Sequence, residues 1–175
     1  MSDLHPPVNQ HDHTQGPTDA PITLVEYADF QCPYCGQADG IVKELQQRLG
    51  DKLRFVFREF PLTDIHEHAL HAAQVAESAG AQGKFWPMHD YLFEHQRKLD
   101  DRHLMQYAQE IGLDMEQFTQ AVNDDSLIEH IQADLESGER SGVHGTPTFF
   151  INGKLFQGSW DVDGLQAALE AELGR

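Results

Sequence analysis

Asp29-Phe30-Gln31-Cys32-Pro33-Tyr34-Cys35 holds both cysteines of the 175-residue chain and stands where a strand pattern gives way to a helix pattern. Before it, Ile22-Thr-Leu-Val-Glu-Tyr-Ala28 is rich in β-formers and mostly apolar, as a buried central strand is. After it, Ala38, Ile41, Val42, Leu45 and Leu49 fall at i, i+3, i+4, i+7 and i+11. That spacing predicts one apolar helix face, with Gly50 just past its end. Leu53-Arg-Phe-Val-Phe57 alternates as a second strand. The three segments make a β-α-β unit of about 36 residues, enough for a crossover between parallel strands.

Further along, the pattern changes. From Asp64 to about Arg140 only helical stretches are visible, punctuated by Gly, Pro and Asp. Ile65, Ala69, Ala72, Ala73 and Ala76 line one side of a helix expected over 64–79, and Pro87 suits a first helical turn. Leu104 to Ile111 ends at Gly112, and Asp114 and Asp124 or Asp125 are candidate N-caps. Strand signals then return: Thr148-Phe-Phe-Ile151, the turn Asn152-Gly153 and Lys154-Leu-Phe156 read as a hairpin. Val162 to Leu173 closes as an amphipathic helix. Residues 1–20, with Pro6, Pro7 and Pro17 and no periodicity, read as a flexible arm. The expected class is α/β, with one domain formed by 21–62 and 143–175 and a helical insertion over 63–142.

Charge narrows the partners. Twelve Lys and Arg against 29 Asp and Glu give a net charge of −17. Such a field repels nucleic-acid backbones and anionic membrane surfaces, so neither is an expected partner. Residues 1–20 hold no apolar run long enough for a signal h-region, which needs roughly 7–15 residues. A cytoplasmic protein is therefore expected, exported only if a native leader has been removed.

The chemistry lies in Cys32 and Cys35. A thiol at a helix N-terminus faces free backbone N–H groups and the positive end of the helix dipole, which favour a thiolate. Cys32 is the expected nucleophile. Cys35, one turn inside, can close a disulfide with it or displace a mixed disulfide from it. Pro33 fits the first turn, where its missing N–H is not needed. A lone C-x-x-C can also be half of a zinc or iron–sulfur site, but with no second such pair the remaining ligands must be histidines or come from a second chain.

Cys32-Pro-Tyr-Cys35 after the first strand and Gly145-Thr146-Pro147-Thr148 before the third resemble the DsbA-like branch of the thioredoxin superfamily, in which helices interrupt the thioredoxin fold. Gln82-Gly-Lys-Phe-Trp86 is similar to a stretch of that branch, and the resemblance covers about residues 20–175. It implies a cis peptide before Pro147, with Thr146 offering backbone hydrogen bonds to a substrate beside Pro33 and Tyr34. It also implies a buried acid at Glu26 that takes the proton of Cys35, the alternative being a solvent-facing glutamate. The dipeptide Pro33-Tyr34 differs from the Pro-His of DsbA itself, which implies a Cys32 pKa between about 3.5 and 7 and a potential between about −270 and −120 mV.

Among the histidines, His144 adjoins the Thr146-Pro147 loop and is a candidate for tuning Cys32 or is a loop residue. His66, His68 and His71 do not share one helix face and are expected to be solvated. His5, His11 and His13 belong to the arm and could bind a stray metal, but no metal set is assigned. Phe85, Trp86, Tyr91, Leu92 and Phe93 read as core, a few of them as candidates to line an apolar groove beside the cysteines. The expected activity is thiol–disulfide exchange on protein or low-molecular-weight thiols through a Cys32 mixed disulfide, without an organic cofactor. Its recycling partner would be glutathione or a thioredoxin-type system. The competing expectation is a metal-binding or interaction module joining these thiolates to those of a second chain. A kappa-type glutathione enzyme shares the inserted fold but typically lacks the second cysteine, so Cys35 argues against it.

Overall fold

The computed structural model describes residues 3–174. Among them, β1 (His13–Gln15), β2 (Ile22–Ala28), β3 (Leu53–Glu59), β4 (Thr148–Ile151) and β5 (Lys154–Leu155) form one sheet in the order β1-β3-β2-β4-β5. β2 and β3 are parallel, and the other pairings are antiparallel. Helix α1 (Pro33–Leu49) connects the parallel pair and buries Ala38, Val42, Leu45 and Leu49, the face read from the sequence. Gly50 takes the positive φ of 52° that stops the helix, where a side chain would be strained. In the β4–β5 turn Asn152 and Gly153 both have positive φ, as a two-residue hairpin requires.

Between β3 and β4 lie five helices: α2 (Ala69–Gly80), α3 (Phe85–Glu94), α4 (Asp101–Glu110), α5 (Met115–Val122) and α6 (Asp125–Arg140). The side chains of Asp114 and Asp124 cap α5 and α6. Helix α2 begins at Ala69, later than expected, and Ile65 is left exposed. Ile65 and His66 instead form a turn on the Leu62 carbonyl, and the N–H of His68 donates to the Gln31 side chain at 2.8 Å. The last helix, α7 (Val162–Leu173), packs on α1 and β2.

The sheet is apolar on both faces. Val25, Tyr27, Val56 and Phe150 belong to one core, whereas Leu24, Ala28, Phe55 and Phe57 join the larger one with α1, α2, α3 and α7. Alternation along β2 places Glu26 on the face of Leu24 and Ala28.

Residues 3–20 correct the expectation of a flexible arm; Met1 and Ser2 lie outside the described residues. Leu4 is buried and its N–H donates to the Gly153 carbonyl at 2.8 Å. β1 covers the outer edge of β3, pairing His13 with Phe57 and Gln15 with Phe55. The physical reason lies in β3, which offers a free row of backbone groups and a buried guanidinium. Arg58 meets Asp12 at 2.9 Å through both Nε and Nη2, the Pro6 carbonyl at 3.0 Å and the Tyr27 hydroxyl at 2.9 Å.

Candidate active site

Cys32 is the N-cap of α1 and Pro33 is its first residue. The Cys32 carbonyl accepts from the N–H groups of Cys35 and Gly36 at 3.0 and 3.2 Å, which draws the second cysteine under the first turn. Both thiols are free, and Cys35 is completely buried, with the Asp29 N–H 3.5 Å from its sulfur. The Cys32 S–H points to the Thr146 carbonyl at 3.6 Å, across a Thr146–Pro147 peptide that is cis. The two motifs the sequence separates by more than a hundred residues thus meet at one sulfur.

The two thiols have opposite acidities. Hydrogen bonding from Cys35, helped by the Thr146 hydroxyl and by backbone N–H groups of the first turn, lowers Cys32 to about 5 against the cost of its partial burial. That value lies between those implied by the thioredoxin and DsbA patterns. Burial pushes Cys35 far up, and its hydrogen bond to Cys32 and the charge of Glu26 act in the same direction.

Glu26 is buried at 1% exposure, which rules out the solvent-facing alternative. Burial raises its carboxyl well above the usual range, the negative charges of Asp39 and Cys32 raise it further, and Lys43 opposes them. Its Oε2 has no hydrogen-bond partner among the described residues. Lys43 spans Asp39 at 2.8 Å and Asp90 at 3.0 Å, and Asp90 is 2.9 Å from His89 Nδ1.

Of the remaining expected site residues, Tyr34 is 61% exposed and meets Trp160 edge-on, with ring centroids 6.4 Å apart. His144, Pro147 and Thr148 line a groove of about 240 Å³ with Phe156 and Trp160. His144 is exposed at the rim of this groove.

Contacts from other parts of the chain brace the motif. Gln96 donates from Nε2 to the carbonyls of Phe30 at 2.8 Å and Cys32 at 2.9 Å. Asp29 accepts from the N–H groups of Gln31 and Leu62 at 2.7 and 2.9 Å, and its Oδ2 lies 2.7 Å from His66 Nδ1. His66 is thus a partner of a buried carboxylate, not the solvated residue expected from its spacing. Trp160 stands opposite Tyr34. Gln96, His66 and Trp160 carry no local signal, because each reaches the motif from a distant part of the chain.

A family model described as thioredoxin matches residues 8–171. The chain is 28% identical to a thioredoxin-like oxidoreductase from Silicibacter pomeroyi DSS-3, with a TM-score of 0.82 over 95% of this chain and 92% of that one. BdbD from Bacillus subtilis, in its oxidised form, is 22% identical with a TM-score of 0.85 over 99% of both chains, a likeness of fold. Among curated proteins, a Na(+)/H(+) antiporter NhaA 1 of Salinispora arenicola is 45% identical over 168 residues, 95% of this chain. The chain spans 26% of that relative's length.

Proposed function

The chain belongs to the thioredoxin family, and on that premise we propose that it is a thiol–disulfide oxidoreductase working through a Cys32 mixed disulfide, which Cys35 resolves when the reduced pair is reoxidised. The observation that carries this reading is the placement of Cys32 at the start of α1, with the buried Cys35 thiol behind it and the Thr146 carbonyl in front. In the oxidising direction, a substrate thiolate attacks Cys32 of the Cys32–Cys35 disulfide, the S–S bond breaks, and Cys35 leaves as a thiolate. Glu26, which holds its proton above the usual carboxylate range, supplies that proton. A second substrate thiolate then attacks the substrate sulfur of the mixed disulfide. Cys32 leaves readily because its thiolate is stable, and the two substrate thiols end as a disulfide while the pair ends reduced.

Stabilising the reduced form makes the disulfide form the better oxidant. We therefore assign the pair as a disulfide donor to protein or low-molecular-weight thiols, recycled by an external thiol–disulfide couple. A donor works where disulfides persist, which a reducing cytoplasm does not provide. Thr146, Pro147, Tyr34 and the groove beside His144 and Trp160 would receive the substrate chain. The competing metal-module reading requires a second chain to reach both sulfurs, and the complete burial of Cys35 opposes that. The transport named for the longer relatives requires membrane spans. Among the described residues no helix is long and apolar enough to cross a membrane, so a redox domain is the part this chain would share with them.

Mass spectrometry of variants incubated with oxidised glutathione tests the assignment. Cys35→Ser should accumulate one glutathione adduct on Cys32, and Cys32→Ser should gain none. An adduct on Cys32→Ser alone would reverse the roles, and no adduct on either would refute the activity.

A further inference from the structure

Outside the cysteine site, the structure gathers a second set of reactive donors from elements far apart in sequence. His13 comes from β1, Glu59 ends β3, Glu77 lies on α2, and His130 and Asp134 are one turn apart on α6. Glu77 faces both imidazoles: His13 Nε2 lies 2.8 and 2.9 Å from its two oxygens, and His130 Nε2 lies 3.2 Å from Oε1. One donor atom each from His13, Glu77 and His130 can be chosen so that all lie within 4.8 Å of one another. A zinc-type ion held at about 2.0–2.2 Å by imidazole nitrogen and carboxylate oxygen keeps its ligands roughly 3.4 Å apart, which this cluster can meet with small adjustments. The His13 ring is fixed by stacking on Phe85 at 3.6 Å with an interplanar angle of 2°.

An independent observation points to the same place. Glu59 is 1% exposed, and its carboxylate has no hydrogen-bond donor among the described residues, its near neighbour being a second carboxylate, Glu77. The register pairs His13 with Phe57, so Glu59, two residues on, shares the sheet face of that pair. Its backbone N–H donates to Asp134 at 2.9 Å, and Glu77 and Asp134 are the leading charges acting on its side chain.

Three buried carboxylates also share this place with two imidazoles. Glu59, Glu77 and Asp134 are all buried, while the neighbouring Arg58 is committed to Asp12, Tyr27 and Pro6. Buried carboxylates in such proximity call for a cation or for shared protons. The cluster of Asp39, His89 and Asp90 differs here, because the Lys43 ammonium already bridges its carboxylates.

We propose that His13, Glu77 and His130 bind one divalent transition-metal ion of the zinc type, whose charge the buried Glu59 beside Glu77 balances. Two imidazoles and a carboxylate suit Zn2+, whereas Ca2+ and Mg2+ favour all-oxygen sets. Its ligands come from β1, α2 and α6 and not from the cysteine motif, so the ion takes no part in thiol exchange. It clamps the N-terminal segment and the helices α2 and α6 to the outer edge of the sheet.

The test uses the full chain with Cys32 and Cys35 oxidised to their disulfide, which removes the thiols as competing ligands. After chelation and dialysis against Zn2+, elemental analysis should find one ion per chain, and added Zn2+ should raise the melting temperature. Co2+ should give the visible bands of a four-coordinate nitrogen and oxygen site without sulfur charge transfer. His13→Gln combined with His130→Gln should abolish the bound ion and the thermal shift while keeping the rate of disulfide exchange. Glu59→Gln, which removes a buried charge and preserves shape, should weaken Zn2+ at least tenfold and decides the matter should the double variant fail to fold. No bound Zn2+, Zn2+ retained by these variants, or Ca2+ binding as tightly as Zn2+ would each overturn the proposal.

Discussion

Moving the pH from about 4 to about 9 should reveal the unequal thiols in the reduction potential of the Cys32/Cys35 pair. Cys32 is lowered to about 5, and Cys35 is pushed up by burial beyond the ordinary thiol range. Above pH 5, reduction therefore takes up two electrons and one proton, since Cys32 stays a thiolate. One proton per two electrons changes the equilibrium tenfold per pH unit, or about 30 mV, and two protons change it by about 59 mV. The potential should fall by about 59 mV per unit below pH 5 and about 30 mV per unit above it. A pair of ordinary thiols, near 8.5, would keep the steeper slope through neutrality. At pH 7 the stabilised thiolate favours the reduced form about 100-fold over that reference, which makes the pair about 60 mV more oxidising. Equilibration in glutathione or dithiothreitol buffers, followed by an acid quench and a mass-spectrometric thiol count, measures the curve. A single slope of about 59 mV up to pH 8 would refute the reasoning, because both cysteines would then be protonated in the reduced protein.

Asp12→Ala should lower folding stability by about 3–5 kcal/mol in denaturant titrations, because it strands the Arg58 guanidinium behind the N-terminal segment. An arm that packs little would leave stability unchanged. Glu26→Gln should slow exchange at Cys35 while stabilising the fold increasingly as pH rises above about 4.3. The sign follows from the raised folded-state value of Glu26: the unfolded chain releases its proton first, so wild-type stability falls with pH across that window. Melting curves of both proteins between pH 4 and 8 check it. Gln96→Ala removes donors from the Phe30 and Cys32 carbonyls and should cost about 2 kcal/mol, with faster hydrogen exchange in the first turn of α1.

What the sequence discloses and what it hides follow from the range over which each feature is encoded. The α1 face, its glycine stop and the Asn152-Gly153 hairpin are written in neighbouring residues, so periodicity and turn chemistry reveal them. The meeting of Cys32 with Thr146 is not local; it is legible only because two separated motifs together resemble a known family. β1 has neither aid. Three residues cannot display a period, and what orders them is the open edge of β3 and the charge of Arg58, more than forty residues away. The same limit hides Gln96, whose amide closes on carbonyls more than sixty residues earlier, and His66, whose partner Asp29 precedes it by 37. Glu26 is the intermediate case. Its presence in an apolar strand signals an unusual carboxylate, but β2 is buried on both faces, so alternation alone cannot say which core receives it. Only the packing of α1 on the face of Leu24 and Ala28 places that carboxylate under the charge of Cys32. A residue read as an energetic anomaly thus becomes a candidate proton donor through tertiary structure, because the cost of burying it is what raises its proton affinity.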